Sequence, residues 1–322
     1  MAIFAARSFT WSPSNRSYGL RYGAAICLAV LLAGCGGAQT QPGTVPATVS
    51  QATREAAGSD LVYLSNEKTN QVDFFSYPQG KKLGAVTELG QPRSECADKA
   101  GNVWIDDIQG YDVVEYAHGG TAPITAISTS GPPQGCAINP KNGDLAVTGG
   151  VGGIVLSVFH QSEHGIWRDA RTYTYAAMQK PKYCSFDAHG NLFVDGTGPK
   201  GSGFVLAELA NGASALAPVA VSQQIAAPGQ VQWDGQYLAI GDSGAVPSMI
   251  YQFSISGGTA SEVGSTTLSS TSNIAQFWIQ GSAVVGPDRG GSVGFYPYPA
   301  GGQAAKTISG FQGYGAAVSL AQ

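Results

Sequence analysis

CSFDAHGNLFVDG, from Cys184 to Gly196, is one of five related stretches in this 322-residue chain. It begins with Cys, crosses a turn rich in Asp, Asn and Gly, and enters a short apolar run. The other copies are CADKAGNVWIDD (Cys96 to Asp107), CAINPKNGDLAVTG (Cys136 to Gly149), VQWDGQYLAIGD (Val231 to Asp242) and FWIQGSAVVGPD (Phe277 to Asp288). A Gly-containing turn between two such runs predicts a β-hairpin. Because the copies recur about every 40–50 residues, they indicate a repeat architecture.

Each repeat has a second half. A strand that ends in an aromatic residue and a Gly turn, such as DVVEYAHGG (Asp112 to Gly120), precedes a more polar strand, such as PITAIS (Pro123 to Ser128). Four short strands per repeat are typical of a β-propeller blade. The first repeat, Asp60 to Pro92, lacks its innermost strand, and YGAAVSLAQ (Tyr314 to Gln322) resembles that strand. The sequence therefore predicts an all-β fold: a six-bladed β-propeller of four-stranded blades, closed by the C-terminal strand joining the first blade. Closure removes exposed sheet edges, so we expect a monomer.

The N-terminal segment predicts export. Three arginines, and no acidic residue, precede the apolar run AAICLAVLLAG (Ala24 to Gly34). This layout is typical of a secretory signal, and the run is too short to span a bilayer. The run ends in LAGC, which resembles a bacterial lipobox. The resemblance implies that Cys35 becomes the lipidated first residue of the mature protein.

The chain then divides into three predicted parts. Residues 1–34 form a lipoprotein signal peptide, 35–58 a flexible tether rich in Gln, Thr, Pro, Ala and Ser, and 59–322 the propeller. We expect the protein in the bacterial cell envelope, anchored to a membrane by lipid and facing the periplasm or the exterior. The formal net charge is −4 and becomes more negative once the signal leaves. This charge argues against nucleic acid as a partner, because phosphate binding depends on basic patches.

Three cysteines, Cys96, Cys136 and Cys184, occupy one position in the innermost strands of three consecutive repeats. We expect these strands to be too far apart for a disulfide, which needs Cα atoms within about 7 Å. The thiolates could hold a soft metal, or the cysteines could act as small buried apolar residues. Other repeats carry Val231 and Phe277 at this position, which favours packing.

Acidic and amide residues recur where the second strand of each repeat ends. They are Asn66, Asp106, Asp107, Asp195, Asp242 and Asp288. The loops that follow should cluster around one mouth of the central channel, where a ring of oxygens would suit Ca²⁺. The alternative is that these side chains form turns by bonding their own backbone. His189 and Asp187 favour a turn in the same way. No catalytic motif is present, so the sequence names no catalytic residue.

The repeat P-x-G-C-A-x-D-x-x-G-N-L-x-V-D resembles the NHL-repeat and gluconolactonase-like six-bladed propellers, most closely a group of uncharacterised bacterial propeller lipoproteins. The resemblance covers Asp60 to Gln322. Lactonases of the related superfamily hold a divalent cation at the channel mouth through a Glu, two Asn and an Asp. The resemblance implies that Asp242, in LAIGDSG, is the metal-binding Asp, and Gln134 stands where one Asn is expected. Glu95 alone is near the position of the Glu.

Two functions therefore compete. The first is a binding or scaffold module that presents its loop face to a protein, glycan or small ligand. The second is a divalent-metal-dependent, lactonase-like hydrolase in which Ca²⁺ polarises the substrate carbonyl at the channel mouth. The candidate ligand face for both is Asn66, Asp107, Gln134, Asp195, Asp242 and Asp288. The sequence favours binding, because the cation-binding set is incomplete.

Overall fold

The computed structural model describes residues 51–322 except 163, 164 and 169. Cys35 and the predicted signal peptide lie outside the described residues. The described chain begins with helix α1 (Gln51–Ala57), continues through 24 strands and contains one 3₁₀ turn at Pro199–Gly201. None of the helices in this part of the chain has the length and apolar character that crossing a membrane requires.

Helix α1 corrects the predicted tether. Residues 51–57 fall inside the segment 35–58 but are helical. Ala56 is buried against the β-sheet body, and Glu55 pairs with Lys81 of that body. The composition suggested flexibility, but Ala56 and Glu55 connect this helix of about two turns to the sheet body.

Strands associate in runs of four, and each run is called a unit here, numbered 1 to 6 along the chain. From the inside outward, unit 1 is β24 (Gly313–Ser319), β1 (Leu61–Asn66), β2 (Gln71–Ser76) and β3 (Lys82–Val86). Unit 2 is β4 (Pro92–Ala97), β5 (Val103–Asp107), β6 (Asp112–Tyr116) and β7 (Pro123–Ser128). Unit 3 is β8 (Pro133–Ile138), β9 (Leu145–Gly149), β10 (Ile154–Phe159) and β11 (Arg171–Thr174).

The remaining units follow the same order. Unit 4 is β12 (Lys180–Phe186), β13 (Leu192–Thr197), β14 (Phe204–Leu209) and β15 (Ala217–Val221). Unit 5 is β16 (Pro228–Trp233), β17 (Leu238–Asp242), β18 (Ser248–Ser256) and β19 (Thr259–Leu268). Unit 6 is β20 (Trp278–Gln280), β21 (Ala283–Asp288), β22 (Ser292–Pro297) and β23 (Lys306–Ser309). A two-residue parallel contact between β15 and β19 joins units 4 and 5 into one eight-stranded sheet, and the other four sheets are separate.

The predicted pairing of the two chain ends is confirmed. Strand β24 lies antiparallel to β1, with Val318 opposite Val62 and Ala316 opposite Leu64. The N-terminal repeat therefore receives its innermost strand from the C-terminus.

Apolar side chains lie between the units. Each of the six apolar clusters joins two successive units, and one of them joins unit 6 to unit 1. Strands β1, β5 and β17 are buried along their whole length, because neighbouring units cover both of their faces. The outermost strands, such as β7, are mostly exposed. Inner strands β4, β8 and β16 begin with proline, which a strand tolerates at its first residue.

The hairpin turns explain the stretch at Cys184. The Asp187 carboxylate accepts hydrogen bonds from the backbone N–H groups of His189 (2.8 Å) and Asn191 (2.9 Å). Asp98 bonds Ala100 and Asn102 in the same way in unit 2. These acidic residues shape the turn between the first two strands, as the turn interpretation predicted.

Candidate functional site

The inner strands of the units surround a central channel. Strands β24, β4, β8, β12 and β16 contact one another in that order, β20 contacts β24, and two hydrogen bonds between Gln232 and the backbone of Ile279 join β16 to β20. We call the end where the inner strands begin the upper mouth. The second strands of the units end there too. The opposite end is the lower mouth.

Asp107, Asp242 and Asp288 end the second strands of units 2, 5 and 6 and have the same contacts. Each accepts two hydrogen bonds from the loop that leads into the inner strand of its own unit. The donors are Gly90 and Gln91 (both 2.7 Å), Ala226 and Ala227 (2.9 and 3.1 Å), and Ser272 and Asn273 (2.9 and 3.0 Å). Each also accepts the N–H two residues after itself. The three carboxylates therefore tie loops together, as the turn-forming alternative describes.

The other three candidate residues differ from this pattern. Asn66 accepts a hydrogen bond from Lys68 N–H (3.1 Å), again as a turn former. Gln134 accepts one from the Lys182 ammonium group (3.3 Å). Asp195 is fully buried, and one of its oxygens accepts Tyr183 N–H (2.9 Å) while the other has no partner within the protein.

The hydrogen bonds of these residues favour the turn-forming role over a Ca²⁺ site. Such a site needs six to eight oxygens that converge on one point. Both oxygens of Asp242, the predicted metal-binding residue, accept backbone N–H groups. Within residues 51–322, apart from the three that are not described, no three His, Cys, Asp or Glu side chains are grouped so as to hold a metal ion.

Polar side chains cross the centre of the channel. Gln276 of unit 6 donates hydrogen bonds to Ser94 Oγ (2.9 Å) and the Glu95 carbonyl (3.0 Å) of unit 2. It also accepts one from Ala316 N–H (3.1 Å) of unit 1. The hydroxyl groups of Tyr183 and Tyr314, from units 4 and 1, lie 3.3 Å apart. Side chains from units that are not adjacent in the ring thus meet between the two mouths.

Three fully buried acids lie in the inner and second strands of units 2 and 4. Burial raises the pKa of Glu95 well above its usual range, and the charge of Asp106 raises it further. Burial likewise raises the pKa of Asp106 and of Asp195 well above the usual range of an aspartic acid. Neither carboxyl oxygen of Asp106 has a hydrogen-bond partner within the protein. A buried carboxyl group without a cation partner is more stable in its protonated, uncharged form.

Two arginines lie over one tyrosine at the upper mouth. The guanidinium carbons of Arg93 and Arg289 are 4.3 and 5.0 Å from the centre of the Tyr314 ring. Arg289 also forms an ion pair with Glu67 (3.0 Å). Arg93 forms no ion pair among the described residues, and its Nε atom is buried without a partner. Arg93 therefore carries a positive charge that no carboxylate among the described residues neutralises, and a planar anion could pair with it.

Sequence reasoning missed this arginine–tyrosine cluster. Arg93 and Tyr314 both occupy early positions of inner strands, three and two residues before the position that Cys96 and Ala316 share. An alignment of the inner strands would have shown two large side chains entering the mouth from neighbouring units. Arg289 follows Asp288 in unit 6. It reaches the aromatic ring of Tyr314 only because unit 6 lies beside unit 1 in the propeller.

The structure overturns one expectation about the cysteines. Cys96 and Cys136 form a disulfide, with their Cα atoms 5.7 Å apart. The distance expected from sheet packing, about 10 Å, holds where blades face each other with full side chains between them. At the channel the inner strands converge, and the short Cys side chains leave the backbones close together. Cys184 is free and buried.

Comparisons with known proteins support the propeller fold. No protein-family model matches the sequence, and no curated protein matches it. Among solved structures, a nidogen/laminin complex aligns with a TM-score of 0.65 at 14% identity, over 82% of this chain and 100% of that chain. A gluconolactonase from Xanthomonas campestris aligns with a TM-score of 0.54 at 11% identity, over 83% and 84%.

A third structure, of a putative 6-phosphogluconolactonase from Bacteroides fragilis, aligns with a TM-score of 0.53 at 13% identity, over 81% of this chain and 98% of that chain. Identities this low establish the fold alone. Together with the ring of four-stranded units, they show that the chain is a β-propeller.

Proposed function

We propose that this chain is a lipid-anchored, extracytoplasmic, six-bladed propeller that binds a carboxylate-bearing ligand or partner at its upper mouth. Arg93 carries the proposal. It is a partly exposed cation that no carboxylate of the described residues pairs with, and it lies 4.3 Å from the centre of the Tyr314 ring. A guanidinium group pre-oriented in this way matches the planar geometry of a carboxylate.

Six blades follow from counting each unit as one blade. Six inner strands and six inter-unit clusters support that count. The eight-stranded sheet is then two blades whose outer strands touch through only two residue pairs, Ala220 with Thr259 and Val221 with Ala260. All other pairings of that sheet lie within one unit or the other.

The envelope location rests on the leader and on the disulfide. LAGC at residues 32–35 provides the lipidation site at Cys35, with residues 36–50 as the tether. The Cys96–Cys136 disulfide adds independent support, because such bonds persist mainly in oxidising compartments.

Mass spectrometry of membrane-extracted protein should find a diacylglyceryl group on Cys35, and Cys35→Ser should leave the precursor uncleaved or release the protein. An unmodified Cys35 in the membrane fraction would refute the anchor.

Binding is favoured over the lactonase alternative because of the rim carboxylates. The Asp residues that a metal-dependent hydrolase would use accept backbone N–H groups instead. The likeness to a gluconolactonase keeps the alternative open to test, and the likeness to a nidogen/laminin complex is compatible with a protein partner. Purified protein with millimolar Ca²⁺ should show no turnover across a panel of lactones. Turnover that Asp242→Ala abolishes would favour the hydrolase.

Calorimetry tests the binding site directly. The probes are citrate and gluconate as small carboxylates and hexaglutamate as an acidic peptide, at low salt, where charge attraction is least screened. At least one should bind with a dissociation constant below about 1 mM, and Arg93→Gln should weaken it at least tenfold, a typical effect of losing a charged hydrogen bond. Arg171→Gln, on an exposed outer strand, is the matched control and should bind normally. Binding of no probe, or equal binding by the Arg93 variant, would reject the proposal.

A further inference from the structure

A cavity lies at the lower mouth, where the inner strands end. Its volume is about 220 Å³. The disulfide, Cys184, Phe186, Trp233 and Trp278 form much of its wall. Trp233 and Trp278 are partly exposed, so the cavity reaches solvent.

The wall of this cavity is uncharged. Its thirteen lining residues include no Asp, Glu, Lys, Arg or His. Sulfur atoms, aromatic rings and small aliphatic side chains make up most of the surface, and these favour apolar, polarisable contacts. An ion would lose its hydration here without a counter-charge, so the chemistry of the wall selects a neutral molecule.

Two polar groups of the wall have no partner within the protein. Gln230 is 4% exposed, and its Oε1 atom accepts no hydrogen bond. The indole N–H of Trp233 is buried and donates none. Gln232, in the same wall, differs, because Ile279 N–H and C=O satisfy both ends of its amide (2.7 and 2.9 Å). A buried donor or acceptor without a partner costs about 1–3 kcal/mol, so Gln230 and Trp233 are the groups that a ligand would satisfy.

The geometry points to a binding site for a small, uncharged aromatic compound that carries a hydroxyl group. The volume fits one ring, since a cavity of about 150 Å³ already accepts benzene. The aromatic and sulfur wall contacts the ring. A hydroxyl group on the ring can accept a hydrogen bond from the Trp233 indole or donate one to Gln230 Oε1, the two groups of the lining residues that lack a partner. This site is separate from the Arg93 cluster.

Phenol is the probe, with benzene and benzoate as the matched comparisons. The mature protein with its disulfide intact should bind phenol with a dissociation constant below about 1 mM by calorimetry, within the limits for seven heavy atoms. Benzene should bind at least roughly fivefold more weakly because it lacks the hydroxyl, and benzoate should not bind because of its charge. Equal binding of benzene, or tighter binding of benzoate, would overturn the inference.

Variants separate the cavity from the rest of the molecule. Trp233→Phe keeps a ring but removes the N–H, and should weaken phenol roughly fivefold, as should Gln230→Leu. Trp167→Phe lies outside the cavity and should bind phenol normally. Arg93→Gln should also bind phenol normally, so failure at the upper mouth and failure here are distinguishable. Phenol should in addition slow alkylation of the native Cys184 thiol, which lines the cavity. No protection of Cys184 and no heat of binding in the unmodified protein would refute the site.

Discussion

Asp106 and Asp107 are neighbours in the chain but have opposite surroundings. Asp107 lies at the rim of the upper mouth, where its carboxylate accepts two short hydrogen bonds from the loop that enters β4. Asp106 points into the channel wall, fully buried, and neither of its oxygens has a partner within the protein. Successive side chains of a strand point to opposite sides, so one residue step separates a turn former from a buried acid.

The same division extends around the molecule. Asp242 and Asp288 belong with Asp107 at the rim, whereas Glu95 and Asp195 belong with Asp106 in the wall. Hydrogen bonds from backbone N–H groups and from Ser272 lower the pKa of Asp288, although its burial acts in the opposite direction. Burial raises the pKa of the three wall acids. Asp288 therefore stabilises the fold when charged, whereas the three wall acids are tolerated when protonated.

The largest expected effect comes from removing most of the innermost strand of unit 1. Deletion of residues 314–322 removes most of β24, which pairs with β1 and contributes Gly315 beside the Glu95 carboxyl group. Several ladder hydrogen bonds and the buried side chains of Ala316 and Val318 go with it, and total stability is typically only about 5–15 kcal/mol. We expect loss of cooperative thermal unfolding.

Deletion of residues 38–46 is the matched control, because it removes nine residues from the predicted tether. This variant should melt within about 2 °C of the wild type, because the composition of the segment predicts a tether and not a strand of the propeller. A C-terminal deletion that melts like the wild type would disprove closure by β24.

The sequence predicted the features that depend on local patterns and missed those that depend on how the units meet. Strand periodicity, turn residues and the missing strand of the first repeat are local patterns, so they predicted the four-stranded units and the β24–β1 pairing. The Cys96–Cys136 disulfide depends on how far the inner strands converge at the axis, which no local pattern encodes. The arginine–tyrosine cluster needs three units to meet, and the sequence separates Arg93 from Tyr314 by 221 positions.

The candidate site was predictable in position but not in role. Acidic residues do recur at the ends of second strands, and those of units 2, 5 and 6 do lie at one mouth. The sequence offered two roles for them, and the contacts favour turn formation. The sequence did not indicate that Asp106 and Asp195 are buried. The same residue type occurs in a strand whether its side chain faces a loop or the protein interior.

The second prediction removes a rim acid. Asp288→Ala loses the acceptor for three backbone N–H groups and the Ser272 hydroxyl. Unsatisfied donors at a partly buried turn should cost about 2–4 kcal/mol, which lowers the melting temperature by roughly 5–10 °C in a domain of this size. Glu262→Ala, on the exposed face of β19, is the control and should change it by less than 2 °C, roughly the scale of a neutral surface change. Equal melting of the two variants would contradict the structural role of the rim acids.

The smallest expected effect is a difference in how the stability of Asp106 and Asp288 variants depends on pH. Burial raises the pKa of Asp106, so the folded chain keeps this proton after the unfolded chain has released its own. Wild-type stability from this group is therefore full below the ordinary carboxyl range, about pH 4, and is lost as pH rises toward the folded-state pKa. Asp106→Asn cannot release a proton, so its melting temperature should fall less than that of the wild type between pH 5 and pH 8, by a difference of at least about 2 °C.

For Asp288 the sign is opposite, because its lowered pKa makes the wild type lose stability as pH falls below about 4. Asp288→Asn should remove that acid-side loss and leave the change between pH 5 and pH 8 as in the wild type. Parallel pH profiles for the two asparagine variants would mean that rim and wall acids do not differ in protonation, and the comparison between them would fail.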